Sequence, residues 1–263
     1  MKKIAIITLL YNKLEEATKP YLESLYKYSK EDIFDLILVD NGSSDKTAQF
    51  IADFQKNHSN IKIITNKQNL GFSKGNNQGL SVIKNKNYEF IGLLNNDILF
   101  TPNWIEKTLE AFSEDQTLGM VSPRIQKSKS ITKDNYLKKY PVYLKKFKNK
   151  IKYSTEPLFC CVFIKKQVVD TIGFLDENFT PAFYEDNDYC FRAMYKGYSL
   201  AISNQSFVFH NHSTTSRFID KSIPKRNREY FLKKHPLAKF LWENKRTNLI
   251  NDIKKYIIGS FDK

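Results

Sequence analysis

Through roughly the first hundred residues, short runs of Ile, Leu and Val alternate with amphipathic stretches whose apolar positions recur every three or four residues. The runs Ile4–Leu10, Leu36–Asp40, Ile61–Thr65 and Phe90–Asn95 read as strands. Between them, Leu14–Ser29, Thr47–Asn57 and Ser73–Lys84 read as helices. This βαβαβαβ order predicts an α/β fold with a mostly parallel central sheet and helices on both faces. Such sheets bind ligands in the crevice outside the carboxyl ends of their strands, so the polar residues just past each strand come under inspection first.

Beyond Pro102 the pattern predicts a helix through Phe112 and a short strand at Gly119–Ser122. The lysine-rich stretch 124–155 has little periodicity and reads as a loop or insertion. A strand at Leu158–Ile164 follows, then a helix from Glu185 to Lys196 stopped by Gly197, then an apolar run Phe207–His210. In the tail, Tyr230, Phe231, Leu237, Phe240 and Leu241 fall at helical spacing among lysines and arginines. The expected organisation is a domain over 1–220 and a basic helical extension over 221–263. The apolar run at Ile4 leads into Tyr-Asn-Lys-Leu-Glu-Glu with no small-residue cleavage site, so it reads as a strand and not a leader. No stretch approaches the ~18 apolar residues of a membrane span.

Composition narrows the class. With 263 residues, 41% of them hydrophobic, the chain suits one large globular α/β domain. Cys160, Cys161 and Cys190 make neither a disulfide framework nor a zinc-ligand spacing, which implies reduced thiols and a cytoplasmic protein. The net charge of +14 is localised: 124–152 carries +10 and 221–263 carries +8, leaving the rest at −4. Basic surface of this kind suits anionic lipid or a pyrophosphate-linked acceptor, so peripheral association with the inner face of the plasma membrane is expected. No recognition-helix or RNP-type motif accompanies the charge, and nucleic acid is not expected as a partner. Association of two copies into a homodimer is left open.

The residues that could do chemistry cluster after strands. Asp40 closes a buried strand, where a carboxylate can accept a base N–H or a ribose hydroxyl; Ser44 and Asp45 read as helix caps. Gly71, Gly75 and Gly79 lie four apart, matching neither the dinucleotide fingerprint nor a P-loop. They either bring backbone N–H groups close to a phosphate or serve turn and helix packing. Asn95, Asn96 and Asp97 end another buried strand, and hard oxygen ligands there suit Mg²⁺ or Mn²⁺ on a diphosphate. His210 ends a further apolar run, whereas His58, His212 and His235 read as structural. Glu185, Asp186 and Asp188 crowd three carboxylates into four residues. Mutual repulsion would raise at least one pKa, giving a general base or a metal partner, unless they form only a charged helix amino terminus.

Taken in order, these pieces resemble the family 2 glycosyltransferases of GT-A fold, the Rossmann-like nucleotide-diphospho-sugar transferases, and particularly their bacterial rhamnosyltransferase-like branch. The resemblance runs from about Ile4 to His210, and weakly on to Tyr230. Leu-Val-Asp40-Asn41-Gly-Ser-Ser-Asp45 is similar to the family's nucleotide-binding strand end, and Asn69-Leu-Gly71-Phe72-Ser-Lys-Gly-Asn76-Asn-Gln-Gly79 to its donor-binding segment. Asn95-Asn96-Asp97 stands where the family carries its DxD motif, with Asn in place of the first acid, so Asp97 alone carries over as a direct metal ligand. Tyr-Glu185-Asp186-Asn-Asp188 resembles the ED motif, which implies Asp186 as catalytic base and Glu185 beside the donor, and His210 matches a histidine that helps hold the metal-diphosphate. The resemblance implies a divalent cofactor, Mn²⁺ or Mg²⁺, and inverting transfer from a dTDP- or UDP-sugar, with dTDP-rhamnose as one candidate. The implied acceptor is a hydroxyl of a glycan or lipid-linked glycan in surface polysaccharide assembly. The alternative, motivated by Asn95, is a catalytically inactive sugar-nucleotide-binding subunit.

Overall fold

A computed structural model describes residues 3–126, 130–211, 220 and 222–238. Its strands are β1 (Ile4–Leu10), β2 (Phe34–Asp40), β3 (Ile61–Thr65), β4 (Phe90–Asn95), β5 (Ile98–Leu99), β6 (Leu118–Ile125), β7 (Ile151–Tyr153), β8 (Cys161–Lys165) and β9 (Ser199–His210). Its helices are α1 (Lys19–Tyr28), α2 (Thr47–Gln55), α3 (Phe72–Ile83), α4 (Trp104–Leu109), α5 (Tyr136–Leu144), α6 (Lys166–Ile172), α7 (Glu185–Tyr195) and α8 (Ser222–Lys234). The strands make one sheet in the order β3-β2-β1-β4-β8-β6-β9-β5, with β7 also on β9.

The first four strands pair in parallel, as their alternation with helices predicts. β8 then enters antiparallel to both β4 and β6, while β6 and β9 are parallel again. The sheet is thus parallel in one half and mixed in the other. Chain order reverses direction at β1, flanked by β2 and β4, and a crevice opens at such a point. The register aligns Leu10 with Asp40 and Leu9 with Asn95, so β1, β2 and β4 end on one edge. Since Cys161 pairs with Leu94, antiparallel β8 begins at that same edge.

Two cores lie on the two faces of the sheet. One packs Leu80 and Ile83 of α3, Val168 of α6, Tyr189 and Phe191 of α7 and Phe231 of α8 against Ile7, Leu93 and Val162. The other packs Tyr21 and Leu25 of α1, Ile51 of α2 and Trp104 of α4 against Ile6, Leu36 and Phe163. Among the described residues, no helix is long and apolar enough to cross a membrane.

Three segments differ from the expectation. The lysine-rich stretch 124–155 is not a bare loop: it holds α5 and β7, and β7 pairs with β9. Tyr136, Tyr140, Tyr143 and Leu144 supply a helical stripe that packs with Phe207 and Phe209, while the intervening lysines are exposed and dilute the periodicity. β9 is 12 residues long, where the apolar pattern marks only its end. Buried Ser203, Asn204 and Ser206 break the apolar run, and the fold satisfies them: Asn204 accepts from Arg124 Nε at 2.7 Å and donates to Asn149 O at 2.7 Å. Finally, α8 packs on the body through buried Asn227 and Phe231. Phe240, Leu241, His212 and the rest of the basic tail from 239 onward lie outside the described residues.

Candidate active site

The loops after β1 and β2 lock together by short polar contacts. Asn12, left-handed at φ 54°, accepts from Ser44 N at 2.7 Å, and its own N–H donates to Ser43 Oγ at 2.8 Å. Asp45 accepts from Thr47 N at 2.9 Å and from Leu14 N at 3.1 Å, while the cap position of α2 falls on Lys46, not on Ser44 or Asp45. Asp40 is buried, and one carboxylate oxygen takes the Ser43 N–H at 3.0 Å. Gly42 has φ +78°, and a Cβ there would sit 2.7 Å from Gln68 backbone, so only glycine fits this approach.

Asn41 serves the loop itself. Its Nδ2 donates to Asn69 Oδ1 at 2.9 Å and Gly71 O at 3.4 Å, and its Oδ1 accepts from Asn66 Nδ2 and Leu70 N. These bonds shape the 66–71 segment that leads into α3. Gly71, the residue before that helix, has φ +84° and lies against Pro181, whose carbonyl accepts the Phe72 N–H at 2.8 Å. Gly75 and Gly79 face the sheet: a Cβ would meet Leu9 at 2.3 Å and Ile7 at 2.5 Å. Of the two readings open for these glycines, close helix–strand packing accounts for the last two. Asn76 donates back to Phe72 O at 2.9 Å. Asn77, a residue the spacing argument passes over, both donates to Leu175 O and accepts from Leu175 N, tying α3 to the segment before α7.

At the end of β4, Asn95 N donates to Cys160 O at 2.9 Å and Asn96 Nδ2 donates to Thr18 Oγ1 at 3.0 Å. Asp97 is buried, and its carboxylate lies 3.0 Å from His210 Nε2, because antiparallel pairing sets Ile98 opposite His210. Gln126 fixes the backbone of His210 from both sides, accepting from its N and donating to its O. Burial alone would lower the His210 pKa, but Asp97 and the Cys160 thiol outweigh it and push it up to about 10. An ion binding at this imidazole competes with any proton it holds. A carboxylate and an imidazole on neighbouring strand ends fit Mn²⁺ or Mg²⁺, which draw their remaining ligands from phosphate and water. Among the described residues, no third His, Cys, Asp or Glu closes a cage around them.

The three carboxylates that open α7 part company. Asp188 is fully buried and takes Arg192 Nε at 2.8 Å, Lys234 Nζ at 2.6 Å and His235 Nε2 at 2.8 Å. Burial would raise its pKa, but the hydrogen bonds from His235 and Lys234 and the charges of Arg192 and Lys234 hold it below the usual carboxylate range. It is structural, as is His235, packed among Phe191, Tyr195 and Phe231. His58 is structural too, stacked on Phe54 and paired with Glu31. Glu185 points elsewhere: buried, with no hydrogen-bond partner at Oε2, it is pushed up to about 8 by desolvation and then by the charge of Asp186. Burial raises Asp186 as well, against the Asn187 N–H that it accepts at 2.8 Å. Glu156, another residue absent from the motif reading, accepts from Asn187 Nδ2 at 3.0 Å and is raised by desolvation and by Asp186. Glu156 lies in the loop that enters β8, which places the acidic group beside the edge where β1, β2 and β4 end.

A parallel β3-β2-β1-β4 half, an antiparallel strand entering at the binding edge and a carboxylate–histidine pair past β4 define the GT-A class of nucleotide-diphospho-sugar fold. The family model described as Glycosyl transferase family 2 matches residues 5–173, and the chain belongs to that family. An uncharacterized glycosyltransferase of Methanocaldococcus jannaschii is 21% identical over 248 residues, spanning 92% of this chain and 80% of that one. The poly-beta-1,6-N-acetyl-D-glucosamine synthase of Staphylococcus epidermidis is 32% identical over 132 residues, 49% of this chain but only 30% of the synthase. Among solved structures, a mannosyltransferase from Pyrobaculum calidifontis in complex with GDP-Man and Mn²⁺ superposes with a TM-score of 0.63 at 13% identity, covering 81% of this chain and 58% of that one.

Proposed function

We propose that this chain is an inverting glycosyltransferase that moves a hexose from a nucleoside-diphosphate donor to a hydroxyl of a glycan or lipid-linked glycan, in assembly of a surface polysaccharide. The observation that carries this reading is the Asp97–His210 pair at 3.0 Å on the strand-end edge, together with a helix-borne acid, Asp186, whose proton affinity is raised by burial. In this reading Asp186 takes the proton of the acceptor hydroxyl. The hydroxyl oxygen forms the new bond to the anomeric carbon as the bond to the diphosphate breaks, and the configuration inverts. Asp97 and His210 would hold a divalent ion on the diphosphate, which supplies Lewis-acid neutralisation of the leaving group. Asp40 would take the nucleoside, while Asn41, Gly71, Phe72 and Asn76 shape the segment facing the donor, and Asn95, Asn96 and Glu185 stand beside it.

The polysaccharide assignment rests on the synthase named above, and the donor is a dTDP- or UDP-sugar on the resemblance to the rhamnosyltransferase-like branch. The neighbour solved with GDP-Man adds GDP-sugars to the set worth testing. The test is nucleoside-diphosphate release from a panel of UDP-, dTDP- and GDP-sugars, with and without Mn²⁺, by wild type and Asp186→Asn. Metal-dependent release that collapses in the variant is the expected result. Asn95, uncharged where the metal motif usually has an acid, favours a second reading as a donor-binding subunit; that reading gains if calorimetry finds metal-dependent donor binding with no release.

The basic excess is assigned to an anionic membrane surface, where each lysine contributes about 1 kcal/mol. Co-sedimentation with anionic liposomes at low salt, lost at high salt, is expected; failure to sediment at low salt refutes it.

A further inference from the structure

The turn that presents Glu185 and Asp186 runs against its own backbone preference. Phe183 at φ 81° and Tyr184 at φ 72° are consecutive non-glycine residues in the left-handed region, directly before α7. Bulky side chains adopt such angles only where surrounding contacts impose them. At the start of α7 the helix has no side-chain cap at Tyr184, and the Glu185 carboxylate accepts a backbone hydrogen bond from Phe183.

The side-chain contacts from outside this segment come largely from α8. Asn227, 1% exposed, donates from Nδ2 to Ala182 O at 2.9 Å and to Phe183 O at 3.1 Å. Its Oδ1 is held by Arg226, through Nε at 3.1 Å and NH2 at 3.0 Å, and the Arg226 guanidinium also donates to Thr180 O. One turn further along α8, Phe231 is 1% exposed and packs against Tyr184 and Phe191. Beyond it, Lys234 and His235 reach Asp188 from the same side. From Thr180 to Asp188, every few residues of this segment meet a partner on α8 or just past it.

We infer that Asn227 is a positioning residue for Asp186: its two donated hydrogen bonds fix the left-handed turn that aims the acid at the acceptor. This makes α8 part of the acceptor half of the site, outside the region matched by the family model, which ends at residue 173. The inference rests on the transferase reading and adds a residue to it. The amide is needed because both of its partners are carbonyl oxygens, which accept only from a donor. An aspartate at 227 keeps the volume and the Arg226 contact but turns a carboxylate oxygen toward two carbonyls.

The experiment compares wild type, Asn227→Asp and Lys234→Met by steady-state transfer kinetics and by amide hydrogen exchange. Lys234→Met removes α8 contacts to Asp176 and Asp188 but none to residues 180–184, and so controls for general loosening of α8. A misplacement of about 1 Å costs on the order of 10²-fold in rate. Asn227→Asp should therefore lose about that factor in kcat with the donor KM unchanged, and exchange should rise at residues 183–188. Lys234→Met should keep kcat within threefold. Equal losses in both variants, or a kcat within threefold of wild type in Asn227→Asp, overturn the assignment. If wild type turns over no donor, the transferase reading fails; exchange at 183–188 then still decides the local claim, and unchanged protection there refutes it.

Discussion

Asn41 and Glu185 are both buried polar residues at the end of an element on the binding side of the sheet, yet the molecule treats them oppositely. Asn41 uses both ends of its carboxamide, with four hydrogen bonds into the 66–71 segment. Glu185 keeps an oxygen without a hydrogen-bond partner and has a pKa raised to about 8. The same contrast divides α7 within one turn, where Asp188 is held by Arg192, Lys234 and His235 and Asp186 is raised by burial. A buried polar group that builds structure is satisfied by the structure. One left short, at an energetic cost, is waiting for something else. The 66–71 segment around Asn41 is thus closed by its own hydrogen bonds, whereas Glu185 at the start of α7 is left short of a partner.

That contrast is most exposed at Asp186. Asp186→Asn removes a proton acceptor and should lower kcat by about 10²–10⁴-fold, the usual contribution of general acid–base catalysis, while calorimetric donor binding with Mn²⁺ is retained. Asp97→Asn should do the reverse and lose metal-dependent donor binding first. If Asp186→Asn instead abolished donor binding, the division into a donor half and an acid half would be wrong.

The next effect is on stability and has a pH signature. Glu185 has a folded-state pKa near 8, well above the ordinary carboxylate value, because burial and then Asp186 disfavour its charge. As pH rises from about 4.5 toward 8, the unfolded chain ionises this group while the folded chain keeps it protonated, so stability falls across that window and levels off above it. The ceiling of the penalty is roughly 3–5 kcal/mol, less whatever relaxation and water entry recover. Glu185→Gln has no proton to lose. Its melting temperature relative to wild type should rise from pH 5 to about pH 8 and level off toward pH 9. A difference independent of pH would mean that Glu185 is not held neutral by the fold.

How much of this was legible in the sequence follows from where the information is stored. β1, β4 and the start of α7 lie where the apolar pattern puts them, because each is a local run bounded by polar or left-handed residues. Asp40, Asp97 and His210 could be singled out since an acid or imidazole ending a buried strand is expensive unless it is used. Asp188 looked like the equal of Asp186, since the partners that neutralise it, Lys234 and His235, lie almost fifty residues away. Glu156 and Asn227 were invisible for the same reason: neither belongs to a periodic pattern, and each acquires its meaning only when two distant segments meet. β9 hid behind Ser203, Asn204 and Ser206, whose polarity argues for a loop until Arg124 and Trp104 are seen to satisfy them. α5 hid behind lysines that cover an aromatic stripe.

The smallest effect tests how α3 packs on β1 in the proposed donor half. Gly79 lies on the sheet-facing side of α3, where a Cβ would stand 2.5 Å from Ile7 Cγ2. Two terms compete in Gly79→Ala. Helix propensity favours alanine by about 1 kcal/mol, since glycine loses more backbone entropy on folding. Against this, overpacking in a close-packed core costs about 1–3 kcal/mol. Ile7 is fully buried in a central strand, and its branched side chain has little rotamer freedom to yield, so the steric term should win. The expected outcome is a net loss of about 1 kcal/mol in denaturant unfolding, with donor affinity near wild type. If Gly79→Ala is stable but loses donor binding by tenfold or more, this glycine approaches the donor and not only β1.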